Sequence, residues 1–298
     1  MLARLQQLIA VALLVLTIAA TAIGAYAGPP WLGLAFVALV LAGYGGVLAI
    51  EFAWLRASYA DGDDARPSAA QLVRAWALEV MAAPRVFLWR QPFRWRSEPD
   101  HLPAAARGRR GVLFVHGFFC NRGLWNPWLR RLRGHGIPFV AVSLEPIFGS
   151  IDDYRPTIAN AVSRLHQTTG VAPVIVAHSM GGLAARAWLA ADPQAPLHRL
   201  VTIASPHGGT RLGSHGRGAN IRQMRLDSDW LARLAASESP ASRARFTCFW
   251  SHCDNIVFPT RSATLAGADN RHLAVTPHVQ MVDHPAVFDE VLRVVRTT

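Results

Sequence analysis

The sequence predicts an α/β fold, in which a mostly parallel sheet is covered by helices on both faces and preceded by two transmembrane helices. Short apolar runs alternate with helical patterns from residue 111 onward, and such alternation is typical of parallel sheets. Two long apolar stretches occupy the N-terminal sixth of the chain. The 298 residues therefore divide into a transmembrane helical hairpin (residues 1–56), an amphipathic linker at the membrane surface (57–109) and the α/β domain (110–298).

The N-terminal stretch is long and apolar enough to cross a bilayer twice. Residues 5–50 contain no charged residue and no histidine. Gly28-Pro29-Pro30 divides this run into residues 8–27 and 31–50, and each part has the roughly 20 residues that a membrane-spanning helix needs. Because two consecutive prolines cannot continue a helix, they predict a tight turn between the two spans. We expect a transmembrane hairpin.

The distribution of arginines predicts the orientation of this hairpin. The turn contains none, whereas arginines stand before and after the apolar stretches, at Arg4, Arg56, Arg66 and Arg74. The positive-inside rule then predicts an integral protein of a bacterial inner membrane with its main domain on the cytoplasmic side. A cleaved signal peptide is the competing interpretation, with Ala25-Tyr26-Ala27 as its cleavage site. Residues 31–50 would still remain as a span.

Charge and cysteine content exclude several classes of partner. Arginine supplies all 30 basic residues, and the formal net charge is +11. No nucleic-acid-binding motif accompanies these scattered arginines, so we expect no nucleic-acid partner and attribute the charge to anionic lipid headgroups. Cys120, Cys248 and Cys253 are too few and too scattered for a disulfide framework, which is compatible with a reducing compartment. Their spacing matches no common zinc pattern, so we predict no metal site.

The linker contains two amphipathic segments. Residues 69–81 carry apolar side chains at helical spacing, which favours a helix that packs on a core or lies on a membrane. Residues 85–96 interleave aromatic residues with arginines. That composition is typical of the headgroup layer, and it is equally compatible with one or two edge strands of the sheet.

Five strands and five helices are predicted in the α/β domain. The strands are the apolar runs at residues 112–115, 139–144, 174–177, 200–204 and 246–250. The helices are expected at residues 125–134, 153–167, 183–191, 229–236 and 285–295. Ligand sites of parallel sheets lie at the carboxyl ends of the strands, and four polar residues lie within two positions of the ends of predicted strands: His116, Ser179, Ser205 and Ser251.

Ser179 is the candidate nucleophile. It lies in the sequence Ala177-His178-Ser179-Met180-Gly181, a G-x-S-x-G pattern with alanine in the first position, between a predicted strand and a predicted helix. A strand, a sharp turn and a helix expose the serine hydroxyl above the sheet. The same turn directs the next backbone N–H and the helix N-terminus at the negative charge that forms when the hydroxyl attacks a carbonyl. Ala177 keeps the small side chain that close packing of strand and helix requires.

The backbone N–H groups of Phe118 and Met180 are the candidate oxyanion-hole donors. Met180 follows the nucleophile, and Phe118 follows Gly117 just past the first strand, where glycine lets the backbone turn toward the site. We interpret His116, which lies in the same turn, as a structural brace of the loop.

The acid and the base should follow the serine in that order. Asp254, after the strand at residues 246–250, is the preferred acid, and Asp227 and Asp229 are rivals at the start of a predicted helix, where aspartate usually caps. His278 is the preferred base. His284, with Asp283 before it, is the reserve and would otherwise cap the last helix. Other histidines, including His207, His252 and His272, are expected in loops or at the surface.

Residues 111–298 resemble bacterial lipases of the α/β-hydrolase superfamily, and the small lipases with an Ala-x-Ser-x-Gly elbow are the most similar. The matching blocks are residues 115–118, 177–182 and 205–210, with weaker likeness around Asp254 and His278. The resemblance implies an α/β-hydrolase fold and hydrolysis of acyl esters by a Ser–His–Asp triad without a cofactor. Two features depart from the family: Pro277 replaces the glycine usual before the histidine, and the soluble relatives are secreted rather than membrane-anchored.

The leading hypothesis is a membrane-anchored serine hydrolase, a lipase or esterase, that cleaves carboxylic esters of lipids or small molecules through an acyl-enzyme intermediate. An acyltransferase or thioesterase on the same fold is the closest alternative, because one triad serves all three reactions. A non-catalytic membrane scaffold is the alternative from another class. Residues 211–245 are expected either to cap the pocket or to form a disordered surface loop that ends in one amphipathic helix.

Overall fold

The computed structural model describes residues 1–60 and 65–297, and a parallel sheet is the centre of that part of the chain. The strand order is β2-β1-β3-β4-β5-β6. The strands are β1 (Val112–Val115), β2 (Phe139–Ala141), β3 (Val174–His178), β4 (Arg199–Ile203), β5 (Phe246–Trp250) and β6 (Asp269–His272).

The α-helices within these ranges fall into an N-terminal group and a group around the sheet. The N-terminal group is α1 (Leu2–Tyr26), α2 (Leu32–Ala57), α3 (Ala69–Pro84) and the short α4 (Gln91–Phe93). The second group is α5 (Asn126–Gly134), α6 (Arg155–Thr169), α7 (Met180–Ala191), α8 (Ala219–Gln223), α9 (Asp229–Ser237), α10 (Pro240–Arg243) and α11 (Pro285–Arg296).

Both faces of the sheet are buried, as the predicted α/β fold requires. In β1, Leu113 and Val115 pack into one hydrophobic core while Val112 and Phe114 pack into the other, since successive side chains of a strand point to opposite faces. The chain passes from β1 to β2 on one side and then to β3 on the other. Residues that follow β1 and β3 therefore meet at the switch point where such sheets bind ligands.

The sheet contains one strand more than predicted. β6 pairs with β5 in parallel, but its residues are polar and largely exposed, so it lacks the apolar run that reveals a buried strand. Strand β2 is shorter than the predicted 139–144. The other predicted strands and helices are present with end points that differ by a few residues.

Helices α1 and α2 form a hairpin around Gly28-Pro29-Pro30, and both are long and apolar enough to cross a membrane. Close packing joins them, because a Cβ atom on Gly33 would clash with Thr21. Large apolar side chains cover the rest of their surface, among them Leu14 and Leu39. A signal sequence passes the same test of length and composition, and the predicted domain boundaries at residues 57 and 110 remain predictions.

The end of the hairpin where α1 begins is attached to the α/β domain through Glu145 and to the linker through Gln91. The terminal amine of Met1 lies 2.6 Å from the Glu145 carboxylate, and Gln6 Nε2 donates to Gln91 Oε1 at 2.9 Å. The opposite end, with the proline turn, is exposed. The apolar helices thus leave the domain from one region of its surface.

The linker is helical from residue 69 to residue 93, and residues 61–64 lie outside the described residues. Ser68 and Gln71 form a capping box at the start of α3. Beyond Pro84 the chain continues as a π-helical segment, Arg85–Arg90, and then as α4. The edge-strand interpretation of residues 85–96 was therefore wrong. Alternating aromatic and basic residues also suit a helix that exposes Trp89 and Phe93.

Trp128 and Trp125 allow a matched test of one buried hydrogen bond. Trp128 Nε1 donates to the Val282 carbonyl at 2.9 Å, whereas the Nε1 of the equally buried Trp125 has no partner among the described residues. We expect Trp128→Phe to lower the free energy of unfolding by about 1–3 kcal/mol more than Trp125→Phe, because it leaves a buried carbonyl unsatisfied. Thermal unfolding in detergent measures both, and equal losses would contradict the prediction.

Candidate active site

The candidate nucleophile lies on a strained turn between β3 and α7. Ser179 has φ 54° and ψ −129°, an unfavourable conformation for a side-chain-bearing residue that costs about 1–3 kcal/mol. Its N–H donates to the Ile203 carbonyl at 2.8 Å, and its carbonyl accepts from Gly182 at 3.0 Å. The conformation is that of a nucleophile elbow, which exposes the hydroxyl above the carboxyl end of the sheet.

Neighbouring glycines make this turn sterically possible. A Cβ atom on Gly117 would lie 2.7 Å from the Ser179 Cβ, and one on Gly181 would lie 2.7 Å from the Val115 carbonyl oxygen. A Cβ atom on Gly182 would clash with Ser205. The backbone after β1 and the start of α7 therefore approach the serine more closely than any larger residue permits.

Asp254 and His278 form a buried hydrogen-bonded pair. The His278 Nδ1 lies 2.9 Å from Oδ1 and 3.1 Å from Oδ2 of Asp254. Asp254 Oδ1 also accepts from the backbone N–H groups of Ile256 and Val257, both at 2.9 Å. This arrangement places the proton of a neutral imidazole on Nδ1 and leaves the lone pair on Nε2.

Ser179 and His278 face the same cavity. Both line a space of about 620 Å³, within the range of small-molecule sites, and Ser179 is 8% exposed. Within the described residues the Ser179 hydroxyl forms no hydrogen bond, so it is available to the cavity. The His178 ring lies against His278, with ring centroids 4.7 Å apart. Catalytic hydrogen bonds are often long before a substrate is bound.

The candidate oxyanion donors are available as well. Neither the Phe118 nor the Met180 backbone N–H has an acceptor in the described part of the chain. His116 braces their loop, since its Nε2 accepts from the Leu144 N–H at 2.9 Å and its Nδ1 lies 2.9 Å from the Gly117 carbonyl. Burial lowers the pKa of His116 to about 4, so this histidine is neutral and structural, as predicted.

The electrostatic environment favours a protonated His278. Burial alone would lower the pKa of its imidazole, but the Asp254 carboxylate, followed by Glu79 and Glu51, raises that pKa above the usual 6.5. His178 has the opposite shift: burial and then the charge of His278 hold its pKa well below 6.5. The pKa values of these two adjacent imidazoles are thus shifted in opposite directions, and His278 is the better suited of the two to accept a proton.

Two acidic residues outside the α/β domain hold the loop that carries His278. Glu79, in α3, accepts from the Val279 N–H at 2.9 Å and from the Gln280 N–H at 3.2 Å. Burial raises the pKa of the Glu79 carboxyl to about 7.

The second acid, Glu51, is linked to the His278 loop through the side chain of Asn255. Glu51, near the end of α2, accepts from Asn255 Nδ2 at 2.7 Å, and Asn255 Oδ1 accepts from the His278 N–H at 3.2 Å. Sequence reasoning missed both acids. An isolated acidic residue inside or directly after an apolar helical pattern was the available signal.

The wall of the cavity comes from an unexpected part of the chain. Its lining residues belong to the hairpin, to α3 and the segment after it, and to the loops that carry Phe118, Ser179 and His278. No described residue of the segment 211–245 lines it. That segment is neither the expected cap nor the alternative disordered loop. It is mostly helical and packs beside α7, where Arg186 donates to the Glu238 carboxylate at 2.7 Å.

The rival acids and bases have other roles. Ser228 caps α9, which leaves Asp229 in its first turn and Asp227 in the preceding turn with φ 55°. His284 Nδ1 accepts from the Ala286 N–H and so caps α11, and Asp283 pairs with Arg90 at 3.2 Å.

Two of the remaining histidines lie in turns that follow strands, as the loop expectation had it, but their side chains are not at the surface. His207 and His252 are buried. His207 lies between Thr202 and Arg186, and His252 Nδ1 lies 2.8 Å from the Nε2 of the exposed His272. Lone histidines of this kind fill polar positions of the core, which sequence alone does not distinguish from surface positions.

The parallel sheet and the serine on a strained turn after β3 are those of an α/β-hydrolase. The model of the alpha/beta hydrolase family matches residues 112–292. The chain belongs to this family. None of the curated proteins matches it in sequence.

The solved structures that resemble the chain include lipases. The mature form of the lipase BlEst2 from Bacillus licheniformis aligns with a TM-score of 0.56 at 15% identity, over 65% of this chain and 95% of the lipase. Lipase B from Aspergillus fumigatus aligns with a TM-score of 0.54 at 17% identity, over 65% of this chain and 55% of the lipase. At such identities the likeness establishes the fold. Residues 1–109 lie entirely outside the matched family region.

The negative charge of Glu79 should affect the pH dependence of ester hydrolysis. If His278 is the base, activity rises with pH as its imidazole loses a proton, with a midpoint above 6.5. Glu79→Gln removes a carboxylate that favours the protonated imidazole, so we expect the midpoint of kcat/KM to move to lower pH. Asp289→Asn, at an exposed acidic residue of α11, is the control and should not shift the midpoint of the pH profile. An unshifted midpoint in Glu79→Gln would contradict this electrostatic role.

Proposed function

We propose that the protein is a membrane-anchored serine hydrolase that cleaves carboxylic esters through an acyl-enzyme intermediate. The observation that carries the proposal is the shared cavity: the strained Ser179 and the Asp254-bonded His278 both line it. Membership of the α/β-hydrolase family and the likeness to lipase structures support the choice of reaction.

Acylation begins when Ser179 Oγ attacks the ester carbonyl carbon and His278 Nε2 takes the hydroxyl proton. Asp254 keeps the other ring proton on Nδ1 and stabilises the imidazolium. The carbonyl electron pair moves onto oxygen, where the N–H groups of Phe118 and Met180 bind the oxyanion. When the tetrahedral intermediate collapses, the carbon–oxygen ester bond breaks and His278 returns the proton to the leaving alcohol.

Deacylation repeats these steps with water as the nucleophile. His278 takes a proton from water, hydroxide adds to the acyl carbon, and collapse releases the acid while the proton returns to Ser179. Each oxyanion donor of this kind lowers the barrier by roughly 3–4 kcal/mol in enzymes where it has been removed. The unpaired state of the Phe118 and Met180 N–H groups supports this role.

Membrane anchoring by α1 and α2 is supported by their length, their apolar exposed surface and their attachment to the domain. Gln6 and Ile9 of α1 line the cavity, so loss of this helix as a signal peptide would remove part of the wall. That contribution favours a retained helix. Following the positive-inside rule, we place the α/β domain on the cytoplasmic side.

Replacing Ser179 tests the nucleophile. We expect Ser179→Ala to lower kcat for p-nitrophenyl esters by at least about a thousandfold and to abolish labelling by a fluorophosphonate probe, because the attacking oxygen is lost. Ser205→Ala is the matched control, since Ser205 is a buried serine beside Gly182 whose Oγ has no partner in the described structure. Label that persists in Ser179→Ala would refute the assignment, as would an unlabelled wild-type protein.

Membrane orientation can be measured with cysteines placed at exposed positions. The native cysteines Cys120, Cys248 and Cys253 are buried, so we expect them to react little in the folded protein. We expect Gly28→Cys, in the hairpin turn, to react with an impermeant maleimide that is added to spheroplasts, in which the outer membrane has been removed and the inner membrane is intact. Ala266→Cys, in an exposed loop of the domain, should react only in inverted vesicles. The reverse pattern would place the domain outside.

A further inference from the structure

The mouth of the active-site cavity lies on the apolar surface of the hairpin. Ile9 in α1, Val47 in α2 and Leu88 in the segment Arg85–Arg90 line the cavity, and they are 43%, 59% and 42% exposed. We define these three residues as the mouth. Their exposure continues the apolar outer surface of α1 and α2, so the opening adjoins a surface suited to lipid rather than water.

Aromatic and basic residues beside the mouth mark the depth of a bilayer interface. Trp89 and Phe93 are exposed, with ring centroids 5.9 Å apart, and Arg85, Arg94 and Arg96 are exposed around them. Tryptophan and arginine concentrate at the level of lipid headgroups. The mouth includes Leu88 of the same segment. It thus lies next to the headgroup layer and opens toward the acyl chains of the lipids.

The interior of the cavity is suited to an acyl chain. Leu48, Ala83, Phe87 and Phe118 line it with apolar groups. Other lining residues are polar, and three of these, Tyr44, Glu51 and Glu79, are hydrogen-bonded to protein groups. The Tyr44 hydroxyl donates to the Glu79 carbonyl at 3.3 Å, and the Glu51 and Glu79 carboxylates accept the bonds that hold the His278 loop.

We propose that the substrate is an acyl ester of a lipid resident in the same bilayer, and that it enters sideways between α1, α2 and the segment Arg85–Arg90. The acyl chain lies against Val47 and Leu48 with its carbonyl at Ser179. The hairpin is then half of the acyl-binding site and determines chain-length preference, besides anchoring the protein. This inference rests on the proposed serine hydrolase activity.

A bifunctional probe separates the inference from the proposed function. The full chain in lipid nanodiscs is treated with a long-chain alkyl fluorophosphonate that carries a diazirine at the end of its chain, then irradiated and digested. Modification of Ser179 tests the hydrolase proposal. Cross-links from the chain to peptides of α1 or α2 support lateral entry.

The outcomes differ for the two claims. Ser179 could be labelled while the cross-links reach only residues 211–245 or other loops of the α/β domain. That result would overturn lateral entry and would still support the proposed hydrolase activity. An unlabelled Ser179 would overturn both, because lateral entry presupposes the reactive serine.

A second measurement uses chain-length preference. Val47→Trp places a large ring at the mouth, and we expect it to lower the ratio of kcat/KM for dodecanoyl over acetyl p-nitrophenyl esters by about tenfold or more, since only the long chain passes there. Leu39→Trp is the matched control, on the same helix at an exposed position outside the cavity, and should not change the ratio. An unchanged ratio in Val47→Trp would overturn the acyl site.

Discussion

Asp254 and His278 are both buried, and the hydrogen bond between the carboxylate and the imidazole links two loops at the carboxyl ends of β5 and β6. A buried carboxylate is tolerated only when its oxygens are satisfied, and here two backbone N–H groups and the imidazole satisfy them. The same bond holds the proton of a neutral ring on Nδ1 and leaves the lone pair on Nε2. The proposed reaction at Ser179 depends on it, because the serine has no other described histidine with a raised pKa beside it.

The position of His278 depends in turn on helices that precede the sheet. Glu79 binds the backbone on the C-terminal side of His278, and Glu51 binds Asn255, which accepts from the His278 N–H itself. Both carboxylates also contribute negative charge near the imidazole. A single pair of acids therefore fixes the loop geometry and favours the protonated ring. The N-terminal helices thus form part of the candidate active site, although the match to the family begins only at residue 112.

The cavity combines these two parts of the chain in one surface. Its polar end is formed by loops of the α/β domain, and its apolar side is formed largely by α1, α2 and the helical segment after α3. In this molecule residues 211–245, between β4 and β5, stay outside the cavity and pack beside α7. The hairpin covers the part of the cavity that a cap would otherwise cover, and in the proposed enzyme it would therefore contact both the substrate and the membrane.

The sequence by itself determined the sheet, the hairpin and the identity of the candidate residues Ser179, Asp254 and His278. Each of these features has a local signal in the sequence. A short apolar run indicates a parallel strand that is buried on both faces, and a long apolar run indicates a membrane-spanning helix. A serine between small residues at the end of a strand indicates a nucleophile elbow. Strand β6 was not predicted, because an exposed edge strand needs no apolar residues and so has no apolar run in the sequence. The segment at residues 85–96 was ambiguous, since its alternation of aromatic and basic residues fits both a helix and a strand.

Only the tertiary structure decided which side chains surround the imidazole and what forms the cavity wall. Glu79 contacts Val279 across 200 positions of the chain and Glu51 contacts Asn255 across 204. No periodicity or motif encodes such a pairing, because it depends on how a helix docks on a sheet. Tertiary packing also buries His207 against Thr202 and Arg186, and it leaves residues 211–245 beside α7 rather than in the cavity wall. Local patterns specify elements, whereas the free energy of packing them together selects the neighbours of the reacting groups.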